Sequence, residues 1–414
     1  MSRYDESKKI YAELGVDTES AINTLKNIPI SVHCWQGDDV LGFDGTDTLS
    51  GGIQTTGNYP GVAKTPEQLM ADIEYAFKRM PGKVRLNLHA SYAILGEDKG
   101  KVDRDQYTIK YFLPWIEFGK RIGIDGIDFN PTFFAHPKVK DGLTLTSPDE
   151  ATRKFWIEHG KRSLEIAAEL GKAFGKPCFV NIWIPDGYKD IPADRLGPRI
   201  RLRDSLDEIL KGYDKKWVIP AVESKVFGIG AESFTPGSNE FYQNYAATRG
   251  INCLMDMGHY HPTEVVSEKI SSLLAFYDKL ALHVSRPVRW DSDHVIIFED
   301  ELKEVAKEIV RNDAIHKVII GLDFFDASIN RISAWVTGQR SMEKALLYAL
   351  TLPNAKLKEL QDKADFTQLM YLQEHAKMMP FSDIWNEYLL RCGLKEDYYS
   401  DVVSYENEVL SKRK

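Results

Sequence analysis

Leu280–Asp293 reads LALHVSRPVRWDSD: a short apolar run carrying His283 at its end, followed eight residues later by Asp291 and then by Asp293. A run this short and this continuously apolar has the pattern of a parallel strand covered on both faces, with its chemistry gathered at the tip. In extended backbone, residues two apart point to the same side, so both carboxylates can face one point in space. Carboxylates crowded beside an imidazole repel one another unless a cation neutralises them. Hard oxygen and borderline nitrogen donors suit a divalent metal. Taken alone, DSD also reads as a solvated turn with two surface aspartates.

Three other segments end the same way. Val318–Asp326, VIIGLDFFD, closes on Asp323 and Asp326. Leu254–Pro262, LMDMGHYHP, carries Asp256 and His259 three apart, and Val218–Lys225, VIPAVESK, carries Glu223 and Lys225 two apart on one face. Any one of these is explained by capping or a turn. Four in series predict an active site built at strand tips.

Comparable runs recur at Ile28–Trp35, Val84–Ala90, Gly123–Phe129, Cys178–Ile184, Val218–Glu223, Ile251–Met257, Leu280–Val284 and Lys317–Leu322. Helical segments lie between them. Thr65, Pro66, Glu67 and Gln68 form a capping box ahead of the face Leu69, Ile73, Ala76, Phe77 and Met80; Ser147, Pro148, Asp149 and Glu150 repeat the device. Eight such units predict an α/β fold, a closed (β/α)8 TIM barrel whose function lies at the C-terminal ends of the strands. An open doubly wound sheet is the second choice, but no GxGxxG opens a helix after the first strand. The glycine-rich Gly42–Gly61 segment is too long for a phosphate loop and reads as a mobile lid or a subunit contact. From about Ser341 the chain is almost wholly helical. The expected division is therefore a catalytic barrel over 1–340 and a helical extension over 341–414 used in oligomer contacts, although Leu357, Leu360, Leu369 and Leu372 could equally be intramolecular core.

Lys and Arg number 53 against 61 Asp and Glu, a net charge of −8 spread along the chain, so no basic stripe offers a surface for nucleic acid. Cys34, Cys178, Cys253 and Cys392 are far apart without a CxxC and read as reduced thiols of a cytoplasmic protein. The opening MSRYDESKKIYAEL is a polar amphipathic helix, so neither a signal peptide nor a membrane span is expected.

The remaining strand tips carry a different chemistry. His33 and Trp35 end the first run, His89 the second; Phe133, Phe134 and His136 follow the third; Asn181, Trp183 and Asp186 cluster at the fourth. Aromatic rings around a metal cup suit a sugar, whose C–H faces pack on rings while its hydroxyls need polar partners. His33 and His136 are read as packing residues, Trp35 and Trp183 as part of the site.

The segments HCWQGDDV, GGIQTTGNYPG, NLHASY, DFNPTFFAHP, NIWIPDG, AVESKVFGIGAES, GHYHPTEV, LHVSRPVRWDSDHV and GLDFFDASINRI, in that order, resemble the bacterial L-rhamnose isomerases over essentially the whole chain. The resemblance implies an aldose–ketose isomerase interconverting L-rhamnose and L-rhamnulose on a barrel similar to that of xylose isomerase. It implies two divalent cations, manganese at the catalytic position, with zinc, cobalt or magnesium as alternatives, and a homotetramer. On this sequence one ion would be held by Glu223, Asp256, His283 and Asp323, and the catalytic ion by His259, Asp291 and Asp293. Lys225 would stand near the reacting oxygens, with Asp323 and His259 as further catalytic groups; Trp35, His89, Phe134 and Trp183 would line the sugar pocket. Spacing alone reaches these acids, imidazoles and Lys225, and the split into two sites comes only from the family.

Moving a carbonyl from C1 to C2 shifts one hydrogen between carbons and one proton between oxygens. A cation contacting both oxygens favours a direct 1,2-hydride shift on the open-chain sugar, with Asp323 or Lys225 assisting the proton. The competing enediol route needs a carboxylate free to act as base, and each acid here has a ligand role. A metal-dependent hydrolase or endonuclease would use a similar cup but call for basic residues. A non-catalytic sugar-binding protein would not need the acidic cluster.

Overall fold

The apolar runs pair as parallel strands because helices cover their outer faces and side chains fill the space they enclose, leaving neither face to water. Strands β1 (Pro29–His33), β2 (Lys83–His89), β3 (Ile127–Asn130), β4 (Cys178–Ile182), β5 (Val218–Glu223), β6 (Asn252–Asp256), β7 (Leu280–Val284) and β8 (Val318–Leu322) follow one another in chain order and close β8 onto β1. The (β/α)8 barrel expected from the sequence is therefore present, and the open sheet is excluded. The computed structural model describes residues 2–45, 53–225, 232–288 and 291–413.

Every ladder is parallel, so all strand tips open on one mouth. The registers pair Asn181 with Ala221, Glu223 with Leu254, Asp256 with His283 and His283 with Gly321. One layer below the tips, at i−2, the floor has two halves. Phe179, Ala221, Leu254 and Ala281 make a small apolar core under the β4–β7 side. Under β1–β3 the floor is polar: Asp128 accepts from Ser31 Oγ at 2.6 Å, from Arg85 at 2.7 and 2.9 Å and from the Phe179 amide at 2.9 Å. Gly126 is required there, since a Cβ would lie 2.5 Å from the Arg85 guanidinium.

Helix starts follow the sequence with two differences. Thr65 caps the helix Pro66–Phe77, accepting from the Gln68 amide at 3.3 Å, but Gln68 Oε1 reaches back to the Lys64 amide and not to Thr65. The helix Glu150–Phe174 is capped by Asp149, which accepts from the Ala151 amide, and not by Ser147; Ser147 Oγ instead accepts from the Asp149 amide at 3.2 Å.

The expected division after 340 falls inside one unbroken helix, Arg331–Leu350, nearly all of it buried against the barrel and its neighbouring helices. That helix completes the eighth βα unit. The extension proper is the helices Asn354–Asp362, Phe366–Ala376, Phe381–Arg391 and Tyr399–Glu408. It returns to the barrel: Glu406 accepts from Tyr59 and Asn330, and Asp72 from Tyr405 and Arg413. Leu360 and Leu372 are buried within the chain, whereas Leu357 and Leu369 are only partly so. Of the glycine-rich segment, residues 46–52 lie outside the described residues. Its later part is fastened, with the Tyr59 amide on the Ala327 carbonyl at 2.7 Å and Arg331 on the Tyr59 carbonyl at 2.9 Å.

Candidate active site

One cavity at the mouth is lined by Trp35, His89, Asn130, Phe134, Asn181 and Trp183 on the β1–β4 side. Glu223, His259, His283, Asp291, Asp293 and Asp323 face them from the β5–β8 side, and Val40, Ile53 and Phe325 complete the wall. The first half is neutral and aromatic. His89 meets Trp35 edge-on at 4.8 Å and Phe134 at 5.5 Å, and Phe134 meets Trp183 at 5.9 Å. Burial pushes the His89 imidazole down to about 3, so it is a neutral hydrogen-bonding group at ordinary pH.

The second half is acidic. Glu223, Asp256, His283 and Asp323 bring one ligand atom each into a common cluster, and Asp256, His259 and Asp291 form a second. His283 Nδ1 lies 3.4 Å from Glu223 Oε1, 3.8 Å from Asp256 Oδ2 and 3.1 Å from Asp323 Oδ2. At none of these does it make a directed hydrogen bond, and among the described residues the second ring nitrogen has no hydrogen-bond partner either. Meanwhile each carboxylate has its other oxygen occupied. Glu223 Oε2 accepts from Asn181 Nδ2, Asp323 Oδ1 from Trp35 Nε1 at 2.9 Å, and Asp256 Oδ1 from the Gly258 amide at 2.6 Å and Ser285 Oγ at 3.3 Å. In the second cluster His259 Nε2 stands 3.1 Å from Asp291 Oδ2, while His259 Nδ1, 3.4 Å from Glu223 Oε1, and Asp291 Oδ1 make no hydrogen bond among the described residues.

Buried acceptors aimed at a shared point and not at donors are the donor set of a cation. Neighbouring ligands about 2.1 Å from an ion stand roughly 3.0 to 3.5 Å apart, the range of most of these separations. The charges agree. Burial lowers His283, but Glu223 and Asp323 carry it well above the usual imidazole value; burial likewise lowers His259, and Asp291 and Asp256 outweigh it. Burial, opposed by His259 and joined by Glu223 and Asp291, pushes Asp256 up to about 8, while burial and Asp291 hold Asp293 well above the carboxylate range. Burial acts the same way on Asp323, but His283 outweighs it and brings it to about 2. Without a cation the nest must retain protons to offset its charge. A divalent ion does the same work, so the residues fit one.

Most residues expected at the site therefore meet there, with three differences. Asp293 lines the cavity in a left-handed conformation (φ 45°), but Asp256, and not Asp293, joins His259 and Asp291 in the second cluster. Lys225 is not part of the wall: its ammonium donates to the Pro185 carbonyl at 2.6 Å and to Glu232, 6.0 Å from the Trp183 ring. Asp326 and Asp186 brace loops, Asp326 accepting from Ser328 and Asp186 from Thr144 and Thr146. His136 packs on Phe155 and pairs with Asp103 at 2.8 Å, and His33 is buried among Trp35 and Phe324, both as expected of packing residues.

Two glycines escaped sequence reading. A Cβ on Gly321 would stand 3.2 Å from His283 Cδ2, and one on Gly258 would meet Asp291 Oδ1 at 2.6 Å. Each keeps space for a ligand. Arg104 is a third omission. Wholly buried, it donates to Asp44 at 2.7 Å and to the carbonyls of Thr132 and Phe134 at 2.9 and 2.6 Å, fixing the loop that presents Phe134. Asn181, named with Trp183 at the fourth strand tip, does line the cavity beside it.

Among the described residues no helix is long and apolar enough to cross a membrane. The model of the L-rhamnose isomerase (RhaA) family matches residues 1–413. An L-rhamnose isomerase of Listeria monocytogenes serotype 4b (strain F2365) is 52% identical over 99% of this chain and 98% of its own length. One from Pectobacterium carotovorum subsp. carotovorum (strain PC1) is 51% identical over 98% and 97%. Among solved structures, a D-psicose 3-epimerase from Clostridium cellulolyticum H10 aligns with TM-score 0.48 and 11% identity over 77% of this chain and 97% of that one, a likeness too loose to inform the site. A match over essentially the full length at half identity leaves one conclusion: the chain belongs to the L-rhamnose isomerase family.

Proposed function

We propose that this chain interconverts L-rhamnose and L-rhamnulose with the help of two divalent cations. Family membership supports the reaction. The observation that carries the metal dependence is the set of carboxylate oxygens turned toward His283 Nδ1 at 3.1 to 3.8 Å with no hydrogen bond to it. Glu223, Asp256, His283 and Asp323 would hold one ion. His259 and Asp291, joined by Asp293 or by Asp256 as a shared ligand, would hold the other, at the catalytic position. Such ions, manganese first and zinc, cobalt or magnesium as alternatives, polarise a carbonyl and lower the pKa of a neighbouring hydroxyl.

The chain's own residues supply the rest. Trp35, Phe134 and Trp183 pack against the C–H face of the open-chain sugar and keep water out, while neutral His89 exchanges hydrogen bonds with its hydroxyls. The hydrogen on C2 leaves with its electron pair for C1, and the O2 proton passes to O1, so the sugar is isomerised without an external oxidant or reductant. Asp323 and His259 stand on the acidic side to assist that proton. Lys225 contributes as a positive charge held behind Trp183. With Asp293 as a ligand of the second ion, no carboxylate lining the cavity among the described residues would be left over to serve as a base at C2, which favours the hydride route over an enediol.

Dialysis against a chelator should abolish ketose formation, and added Mn2+ should restore it; turnover that survives complete chelation would overturn the metal reading. In deuterated water the hydride route leaves C1 of the ketose unlabelled, and substantial deuterium there would overturn it. We place the enzyme in the cytoplasm, in keeping with its unpaired cysteines. It works as a homotetramer, a reading supported by the exposed Phe366, Met370, Tyr371 and Met378 around one helix of the extension. Light scattering on the purified chain checks the mass.

A further inference from the structure

We infer that Asn181 is a positioning residue for Glu223, deciding which of its carboxylate oxygens is offered to the cation; this rests on the metal reading above. Asn181 and Glu223 come from adjacent strands, Asn181 pairing with Ala221, so the two side chains point into the barrel one step apart. Asn181 is 2% exposed and Glu223 3%. Asn181 Nδ2 donates to Glu223 Oε2, and Glu223 Oε1 lies 3.4 Å from Nδ1 of both His259 and His283. The amide orientation follows from chemistry, since a flipped Asn181 would set oxygen against oxygen. Its own Oδ1 has no partner among the described residues, although buried polar atoms are normally satisfied. A side chain kept for packing would not leave half its hydrogen-bonding capacity unused beside a cavity. One kept to occupy Oε2 would, because an unheld Glu223 can rotate, present both oxygens or withdraw. Trp35 does the same for Asp323; both side chains also line the cavity, so the effect is read on the cation with no sugar present.

The test uses the full chain stripped of metal and titrated with Co2+ alone, read by calorimetry and by the visible absorption of the bound ion. Asn181→Leu should weaken Co2+ binding by about ten- to a hundredfold, the usual effect of losing a group that orients a ligand. The loss should vanish in a Glu223→Gln background, where the oriented carboxylate is already gone; a purely structural role would give the same loss in both. Asn181→Asp keeps the side chain's size and therefore the fold, but turns an acceptor toward Oε2, so the Co2+ spectrum should change. Co2+ affinity within about twofold of the parent for a folded Asn181→Leu, or an unchanged spectrum for Asn181→Asp, would overturn the inference. A parent chain that takes up no Co2+ would instead sink the two-cation reading.

Discussion

Each carboxylate of the Glu223, Asp256 and Asp323 set is divided between two tasks, one oxygen held by a donor from the protein and the other turned toward His283. The same division makes substitutions here separable from folding. His259 and Asp291 follow the ends of β6 and β7 and line the cavity, outside the strands that build the barrel. His259→Ala and Asp291→Asn should each lower kcat/KM by more than about a hundredfold, because even groups that only orient ligands cost up to that much. Their circular dichroism and cooperative melting should stay those of the parent. Near-normal turnover in either would remove the second cluster from the mechanism. Gly258→Ala belongs with them: its Cβ would lie 2.6 Å from Asp291 Oδ1, so Asp291 must move away from Asp256. It should weaken metal binding, read by Co2+ titration, without replacing a ligand.

Among elements, the helix Arg331–Leu350 has the most to explain, because it is buried along most of its length and carries an acid with no cationic partner among the described residues. Glu343 is fully buried, accepting from Tyr388 at 2.8 Å and Gln339 at 3.1 Å, and Gly82 packs so tightly that a Cβ would lie 2.5 Å from its Oε1. Burial pushes Glu343 up to about 8. Between the unfolded value near 4.5 and this one the native state holds a proton that the unfolded chain has lost, so stability falls as pH rises through that window. Glu343→Gln, which mimics the protonated form, should gain on the parent from pH 5 to pH 8 by a few kcal/mol at most, read by urea unfolding at each pH. An equal difference at both would show that Glu343 does not titrate across the range. This element also marks where sequence reading stops. The strand tips were legible because buried parallel strands are continuously apolar and because residues two apart share a face, as at Asp291 and Asp293, whereas Lys225, past the end of β5, turns to Pro185 and away from the wall that Glu223 lines. The end of the barrel was not, since Arg331–Leu350 is amphipathic in neither direction and nothing in its composition separates it from the helices that follow. Arg104 was hidden for a related reason: most of its partners are backbone carbonyls, which leave no trace in the residue types around it. Asp256 taking the place of Asp293 in the second cluster goes with the close approach of Asp291 to Gly258, a contact that spacing cannot encode.

Across the whole molecule the barrel is divided in two, with a neutral aromatic arc from β1–β4 facing an acidic one from β5–β8, and the two halves are stabilised differently. The aromatic side packs on itself and needs nothing further. The acidic side gathers five carboxylates and two imidazoles, all largely buried, and burial and charge hold Asp256, His259, His283, Asp293 and Asp323 away from their ordinary pKa values. Folding the metal-free chain therefore works against that repulsion, while a cation that binds only the folded form removes it and adds its own binding energy. The gain grows as RT ln(1 + [L]/Kd), about 2.7 kcal/mol when the ion is at a hundred times its Kd. For a chain of this size that is a rise in Tm of about 3 °C per ion for Mn2+ or Co2+, continuing with concentration past saturation of the sites. The rise should shrink sharply in Asp256→Asn, because Asp256 alone belongs to both clusters. A Tm that ignores Mn2+, or an Asp256→Asn variant that responds as the parent does, would mean that the acidic half is held together by protons and not by ions.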